Sequence, residues 1–205
     1  YIDTYAEARK VFLKELTGTL YAVANDVKFQ IEFNPNKVSS YRLLGYENRM
    51  LADKDFADDT KDAGELGAGQ MVTAFYEIVP ASQVDLSDEE ALRYRTIELS
   101  EASNSEEMLN LKIRYKQPGA DTSILIEQPV VLTLTENDAL SSSFVFGSSV
   151  VEAGLILRNS KFKADAGFDR VIARAQKAIV YDPDGYRREF IALIEMCDEM
   201  YATSD

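Results

Sequence analysis

Leu109, Leu111, Ile113 and Tyr115 alternate without a break with Asn110, Lys112, Arg114 and Lys116. A period of two puts apolar side chains on one face of a strand and polar ones on the other. The same period holds at Val27, Phe29, Ile31 and Phe33, interleaved with Lys28, Gln30 and Glu32, and predicts a strand with one wet face. After residue 138 the period becomes helical. Phe144, Ser148, Val151 and Leu155 form one stripe, and Phe168, Val171, Ile172, Ala175 and Ile179 a second. Tyr186, Phe190, Leu193, Ile194, Cys197 and Tyr201 form a third. Strands followed by a run of helices, rather than alternating with them, predict an α+β chain and exclude a parallel α/β sheet. The expected fold is an antiparallel β sheet or sandwich, flanked by an N-terminal helix and a C-terminal three-helix unit.

Local signals fill in this outline. Thr4-Tyr5-Ala6-Glu7 reads as a capping box, and Tyr5, Ala8, Phe12, Leu16 and Leu20 follow at helical spacing, with Gly18 bending or interrupting the helix. Asn34-Pro35-Asn36 reads as a turn, after which residues 38–46 return as a hairpin partner. Residues 53–69 are charged and glycine-punctuated and read as one long loop. Residues 71–79 are apolar on both faces, the pattern of a central strand. A short strand fits near residues 92–99. Gln117-Pro118-Gly119-Ala120 turns the chain into a strand over 122–127, and a further strand fits 130–135, with Pro129 marking its start or a sheet edge. Gly147 and Gly154 leave room for a close neighbour, and Asp182-Pro183 places a capping acid before a Pro at the first helical position. The expected divisions are a linking helix over 1–25, a β-rich domain over 26–136, and a helical unit over 137–205 packed on it.

The net charge of −13 argues against nucleic acid and anionic membrane surfaces, whose affinity comes from Lys and Arg. Residues 47–107 hold 16 acidic and 5 basic residues, so they supply −11 of that charge. Such a window is either a solvated, loop-rich surface or a docking face for a cationic partner. No apolar run reaches the roughly 18 to 20 residues of a membrane helix, so no membrane insertion is expected. The N-terminal stretch shows neither a basic start nor an apolar signal segment.

The chain contains no His and one Cys, which removes Ser-His-Asp and Cys-His catalysis, internal disulfides and Cys-based zinc sites. Cys197 lies on an apolar helical stripe and reads as a buried structural thiol. Calcium loops need oxygens at fixed offsets and a Gly at position six. Asp53, Asp55 and Ala57 fail at the third ligand, and in the set Asp58, Thr60, Asp62 the required Gly is Ala63. Gly64-Glu65-Leu66-Gly67-Ala68-Gly69 precedes a strand, whereas a phosphate cradle follows one, so it reads as a turn or bulge. No catalytic residue, metal ligand or cofactor site is read from these patterns, although paired carboxylates leave a hydrolase formally open.

Long words in fixed order resemble the C-terminal region of bacterial von Willebrand factor A (VWA) domain proteins of the YfbK-like family. They include residues 26–35 (Asp-Val-Lys-Phe-Gln-Ile-Glu-Phe-Asn-Pro), residues 41–49 (Tyr-Arg-Leu-Leu-Gly-Tyr-Glu-Asn-Arg), residues 62–69 and residues 182–187. The resemblance implies an upstream VWA domain joined covalently to this region, and an extracytoplasmic setting, periplasmic or cell-surface. The Asp-x-Ser-x-Ser metal motif of VWA domains is absent here, so the family's metal chemistry is not carried over. The expected role is a non-catalytic accessory region that supports protein–protein binding or scaffolding. The alternatives are a carboxylate-based hydrolase and a purely structural tail of the VWA domain. Strand-flanked loops are where binding groups are placed, so the candidate binding surface is Glu47, Asn48, Arg49, Asp62 and Glu65. The competing reading of these residues is that Arg49 pairs with Glu47, Asp62 or Glu65 and merely pins the loop.

Overall fold

The computed structural model describes residues 2, 4–16, 18, 21–45, 51–81, 99–132 and 140–203. The chain divides into two compact units, Tyr1–Thr133 and Leu134–Asp205. The first opens with helix α1 (Tyr5–Arg9), which widens into a π-helical turn over Lys10–Glu15. The Thr4 hydroxyl accepts the Glu7 amide at 3.1 Å, the forward half of the predicted capping box. Tyr5, Phe12 and Leu16 of the predicted stripe are exposed.

Among the described residues six strands follow: β1 (Ala22–Phe33), β2 (Val38–Leu44), β3 (Gly64–Gly67), β4 (Phe75–Pro80), β5 (Leu109–Lys116) and β6 (Ile124–Val130). They form a four-stranded sheet in the order β3-β1-β5-β6 and a two-stranded sheet of β2 and β4, with every pairing antiparallel. With the helices described below, this is the α+β class that the two periods predict. The β5–β6 hairpin closes through Gln117–Ala120, where the Ala120 amide donates to the Gln117 carbonyl at 2.9 Å and Gly119 takes φ +81°. Pro129 sits within β6 rather than at a strand start, and β6 is an edge, where a missing amide breaks no ladder.

Several expectations need correction. The turn at Asn34 does not send β2 back along β1. At the turn the amides of Lys37 and Val38 both donate to the Asn34 carbonyl at 2.9 Å. The Asn34 side chain instead donates to the carbonyls of Ser103 (3.0 Å) and Glu107 (2.8 Å), and β2 pairs with β4. β4 begins only at Phe75 and pairs with β2 alone among the described strands, so it is not central. Its polar Glu77 faces Arg42 across the pair and bonds to it. Phe33, Tyr41 and Tyr76 cluster at the junction, with ring centroids 4.4, 5.5 and 6.5 Å apart. The supposed single loop over 53–69 contains β3. There a Cβ on Gly67 would lie 1.7 Å from the Gly18 carbonyl oxygen, so the close approach of those two backbones demands glycine at 67. The strands proposed near 92–99 and 130–135 fall largely outside the described residues.

The second unit holds α2 (Ser142–Leu157), α3 (Phe168–Lys177) and α4 (Tyr186–Ala202). Its core is Ala153, Ile156, Phe168, Val171 and Ile194, and Val171 is 0 % exposed. The Ser141 hydroxyl caps α2 by accepting the Phe144 amide at 3.1 Å. The α2 stripe differs from the predicted one: Ser149, Ala153 and Ile156 are buried while Phe144 is exposed. α2 is apolar nearly all round, so periodicity could not select its inner face. Nothing lies within 4 Å of a Cβ placed on Gly154, so the close neighbour expected there is absent. On α4 the inner residues are Ile191 and Ile194, whereas Leu193 is exposed and Cys197 is only half-buried at the core's margin. Asp182 caps α4 from further away than expected. Its carboxylate accepts the amides of Arg187 and Arg188 at 3.2 Å each, while Gly185 at φ 80° starts the helix.

The Ile194→Ala variant should destabilise the helical unit by about 2–4 kcal/mol, the usual cost of a buried Ile truncated to Ala. Denaturant unfolding followed by circular dichroism measures it. A loss below about 1 kcal/mol would mean that Ile194 is not a core residue.

Candidate functional site

β1 contains an irregularity that organises a cluster of polar side chains. Its pairing with β5 slips between Asn25 and Lys28, and its pairing with β3 slips between Ala24 and Val27. Asp26 sits in this bulge with φ 50°, a left-handed conformation that Asp tolerates better than most residues. The Asp26 carboxylate accepts the Ala63 amide at 3.1 Å and the Lys116 ammonium at 2.6 Å. This fixes the start of β3 and the end of β5 on one side chain.

Beyond the bulge, Lys28 points to the polar face of the sheet, as the alternation predicts. It is not wet: residues 53–62 fold over it and leave it 4 % exposed. The Lys28 Nζ donates to the carbonyl oxygens of Asp58 (2.5 Å) and Asp55 (3.4 Å). Lys116 Nζ donates to the Asp59 carbonyl at 2.8 Å. Phe56 anchors the same loop, buried beneath the Arg114 guanidinium, whose carbon lies 5.6 Å from the ring centre. The loop's carboxylates face elsewhere. Asp58 accepts the Thr60 amide (2.9 Å) and hydroxyl (2.7 Å), and Asp59 accepts the Ser123 amide at 3.2 Å. Arg114 completes the ring by donating to the Ser123 hydroxyl at 2.9 Å. Loop carbonyls therefore meet the two lysines, the Asp58 and Asp59 carboxylates meet amides and hydroxyls, and Lys116 also bonds the Asp26 carboxylate.

These contacts set the acidities. The Lys116 ammonium, then the Ala63 amide, holds Asp26 below the ordinary aspartate range. The Ser123 hydroxyl and amide lower Asp59, and the Thr60 hydroxyl and amide lower Asp58. Lys116 is raised, first by its bond to Asp26. Each shift favours the charged form, the opposite of what a proton-donating carboxyl needs near neutral pH.

Of the candidate binding residues, Glu47, Asn48 and Arg49 lie outside the described residues. Asp62 is exposed beside Ala63, whose amide bonds the Asp26 carboxylate, and Glu65 is exposed on β3. Asp62 and Glu65 thus flank the clamp without forming its centre. Lys28 and Lys116 pin residues 55–59 through their carbonyls. Sequence reasoning missed both because a carbonyl acceptor carries no side-chain signature. The one available hint was a lysine inside a strand beside an acidic segment.

The family described as "Uncharacterized protein YfbK, C-terminal" matches residues 18–200. The chain belongs to this family. It is 40 % identical over 199 residues to the "Uncharacterized protein YfbK" of Escherichia coli (strain K12), which covers 97 % of this chain and 34 % of that protein. The chain thus spans about a third of the length of that relative. No solved structure matches it.

For this YfbK C-terminal region, the shifts fix the pH window of loop order. Asp26 and Asp59 are depressed, so their contribution is complete above the ordinary aspartate value of 3.8 and is lost as pH falls through their lower folded values. Lys116 is raised, so its contribution is complete below 10.5 and is lost as pH rises through its higher folded value. Amide exchange of residues 55–63 should therefore stay slow and flat across neutral pH, after correction for intrinsic rates, and accelerate only at the two extremes. In Lys116→Met, NMR titration should show the Asp26 carboxyl moving up toward 3.8. An unchanged Asp26 titration would remove Lys116 as the cause.

Proposed function

We propose that this chain is a non-catalytic interaction region of a larger bacterial VWA-type protein, working outside the cytoplasm and supporting protein–protein binding or scaffolding. The observation that carries this reading is an apolar sheet face. Phe29, Ile113 and Ile126 stand in register across β1, β5 and β6, and Phe29 and Ile126 remain 49 % and 46 % exposed. Ile31 with Leu111, and Ile124 opposite Tyr115, extend the same face along the strands. A contiguous exposed apolar patch of this kind marks a contact surface more often than a free one. The opposite, polar face supports the same reading from the other direction. Its cations and acids are engaged with one another, as in Lys112 with Glu32 (3.8 Å) and Glu127 (3.6 Å) and the lysine-pinned loop. With a net charge of −13, the chain favours a partner with an apolar centre and a basic rim.

Phe29→Asp and Ile126→Asp in the full-length protein test the proposal. Both side chains are about half exposed, so the melting temperature should move by less than about 3 °C, as a loss below about 1 kcal/mol would. Capture of a cross-linked partner from the native host should fall at least tenfold. Undiminished capture by both variants would refute the apolar face as the contact surface. A melting temperature lowered by several degrees, with no partner captured by the wild type, would favour the structural-tail reading.

A further inference from the structure

We propose that residues 53–62 form a carbonyl-lined cation cradle that the protein fills permanently with its own Lys28 ammonium. An oxygen-lined loop holds a cation in one of two ways: it recruits an ion from solution, or it receives a charged side chain from its own scaffold. The geometry here is the second. Lys28 comes from the middle of a strand, is 4 % exposed, and delivers its Nζ to two loop carbonyls, those of Asp55 and Asp58. Burying an ammonium is unfavourable unless hydrogen-bond acceptors replace its water, so the carbonyls and the ammonium depend on each other. The Asp58 and Asp59 carboxylates hydrogen-bond to Thr60 and Ser123, so the hydrogen-bond acceptors of the Lys28 ammonium are backbone carbonyls. A second strand-borne cation, Lys116, fixes the next carbonyl, that of Asp59.

The consequence is a loop that orders without any ion from solution and does not respond to calcium, despite its run of aspartates. Lys28 is a positioning residue: it sets the path of residues 53–62, which lead into Ala63 and β3. Removing the side chain should leave an empty cradle of matching chemistry, selective for small protonated amines that can donate hydrogen bonds.

The test uses the whole chain as Lys28→Ala and Lys28→Met. Both variants should melt about 5 °C or more below wild type, and amides 55–60 should exchange at least tenfold faster. In Lys28→Ala, ethylammonium chloride at about 100 mM should recover a substantial part of both losses. Equal concentrations of sodium chloride or tetramethylammonium chloride, which cannot donate hydrogen bonds, should not. Millimolar calcium should leave the wild-type melting temperature unchanged. A Lys28→Met protein with wild-type melting and exchange would overturn the proposal, because the methylene stem alone would then hold the loop. Equal rescue by tetramethylammonium would overturn it as well, as would stabilisation of the wild-type loop by calcium. If neither variant folds, nitrogen NMR of the wild-type lysines decides. The Lys28 ammonium should be protected from solvent exchange, and an ammonium exchanging as fast as those of surface lysines would refute the cradle.

Discussion

Two ammonium groups on neighbouring strands determine where the aspartate-rich loop over residues 53–62 can lie. Lys28 on β1 and Lys116 on β5 draw the carbonyls of Asp55, Asp58 and Asp59 onto the polar face of the sheet. The β1 bulge is part of the same device, since Asp26 in its left-handed conformation ties Lys116 to the amide that leads into β3. The extra residue of the bulge lies between Asn25 and Lys28, and Asp26 within it reaches both the Ala63 amide and Lys116. The first edge of the four-stranded sheet thus depends on a handful of charge-assisted hydrogen bonds rather than on a hydrophobic layer. Such bonds are worth more than neutral ones when shielded from water.

This arrangement alters the meaning of the net charge. A stretch with −11 invites the picture of a free acidic surface, yet two of its acids, Asp58 and Asp59, are committed to internal donors. The apolar surface shows the reverse imbalance. Among the described residues of the first unit, the buried apolar set is Ala24, Val38 and Phe56, while Phe29, Ile124 and Ile126 stay open. The helical unit instead builds a conventional core around Val171, braced outside by Glu152 between Arg174 (2.5 Å) and Arg170 (3.8 Å).

Much of the fold was legible in the sequence. Clean alternation located β1 and β5, and the turn residues at Gln117 to Ala120 located the hairpin. The change of period located the helices. The failures have specific causes. α2 is apolar nearly all round, so no stripe could be chosen. β2 was sent to the wrong neighbour because its pairing is with β4, and the turn before it is held by contacts no local signal shows: Asn34 donates to Ser103 and Glu107, about seventy residues away. Of the candidate binding residues, Asp62 and Glu65 fall beside the clamp, and its centre went unread.

The sequence by itself determined the class of the chain, the antiparallel strands, the helical third and the family. These follow from local period, turn chemistry and long matching words. Tertiary structure alone decided what Lys28 and the aspartates do. A lysine in an alternating strand reads as solvated until a distant loop is laid across it. Backbone carbonyls, identical at every position in the sequence, become a cation site only when folding points several of them at one nitrogen.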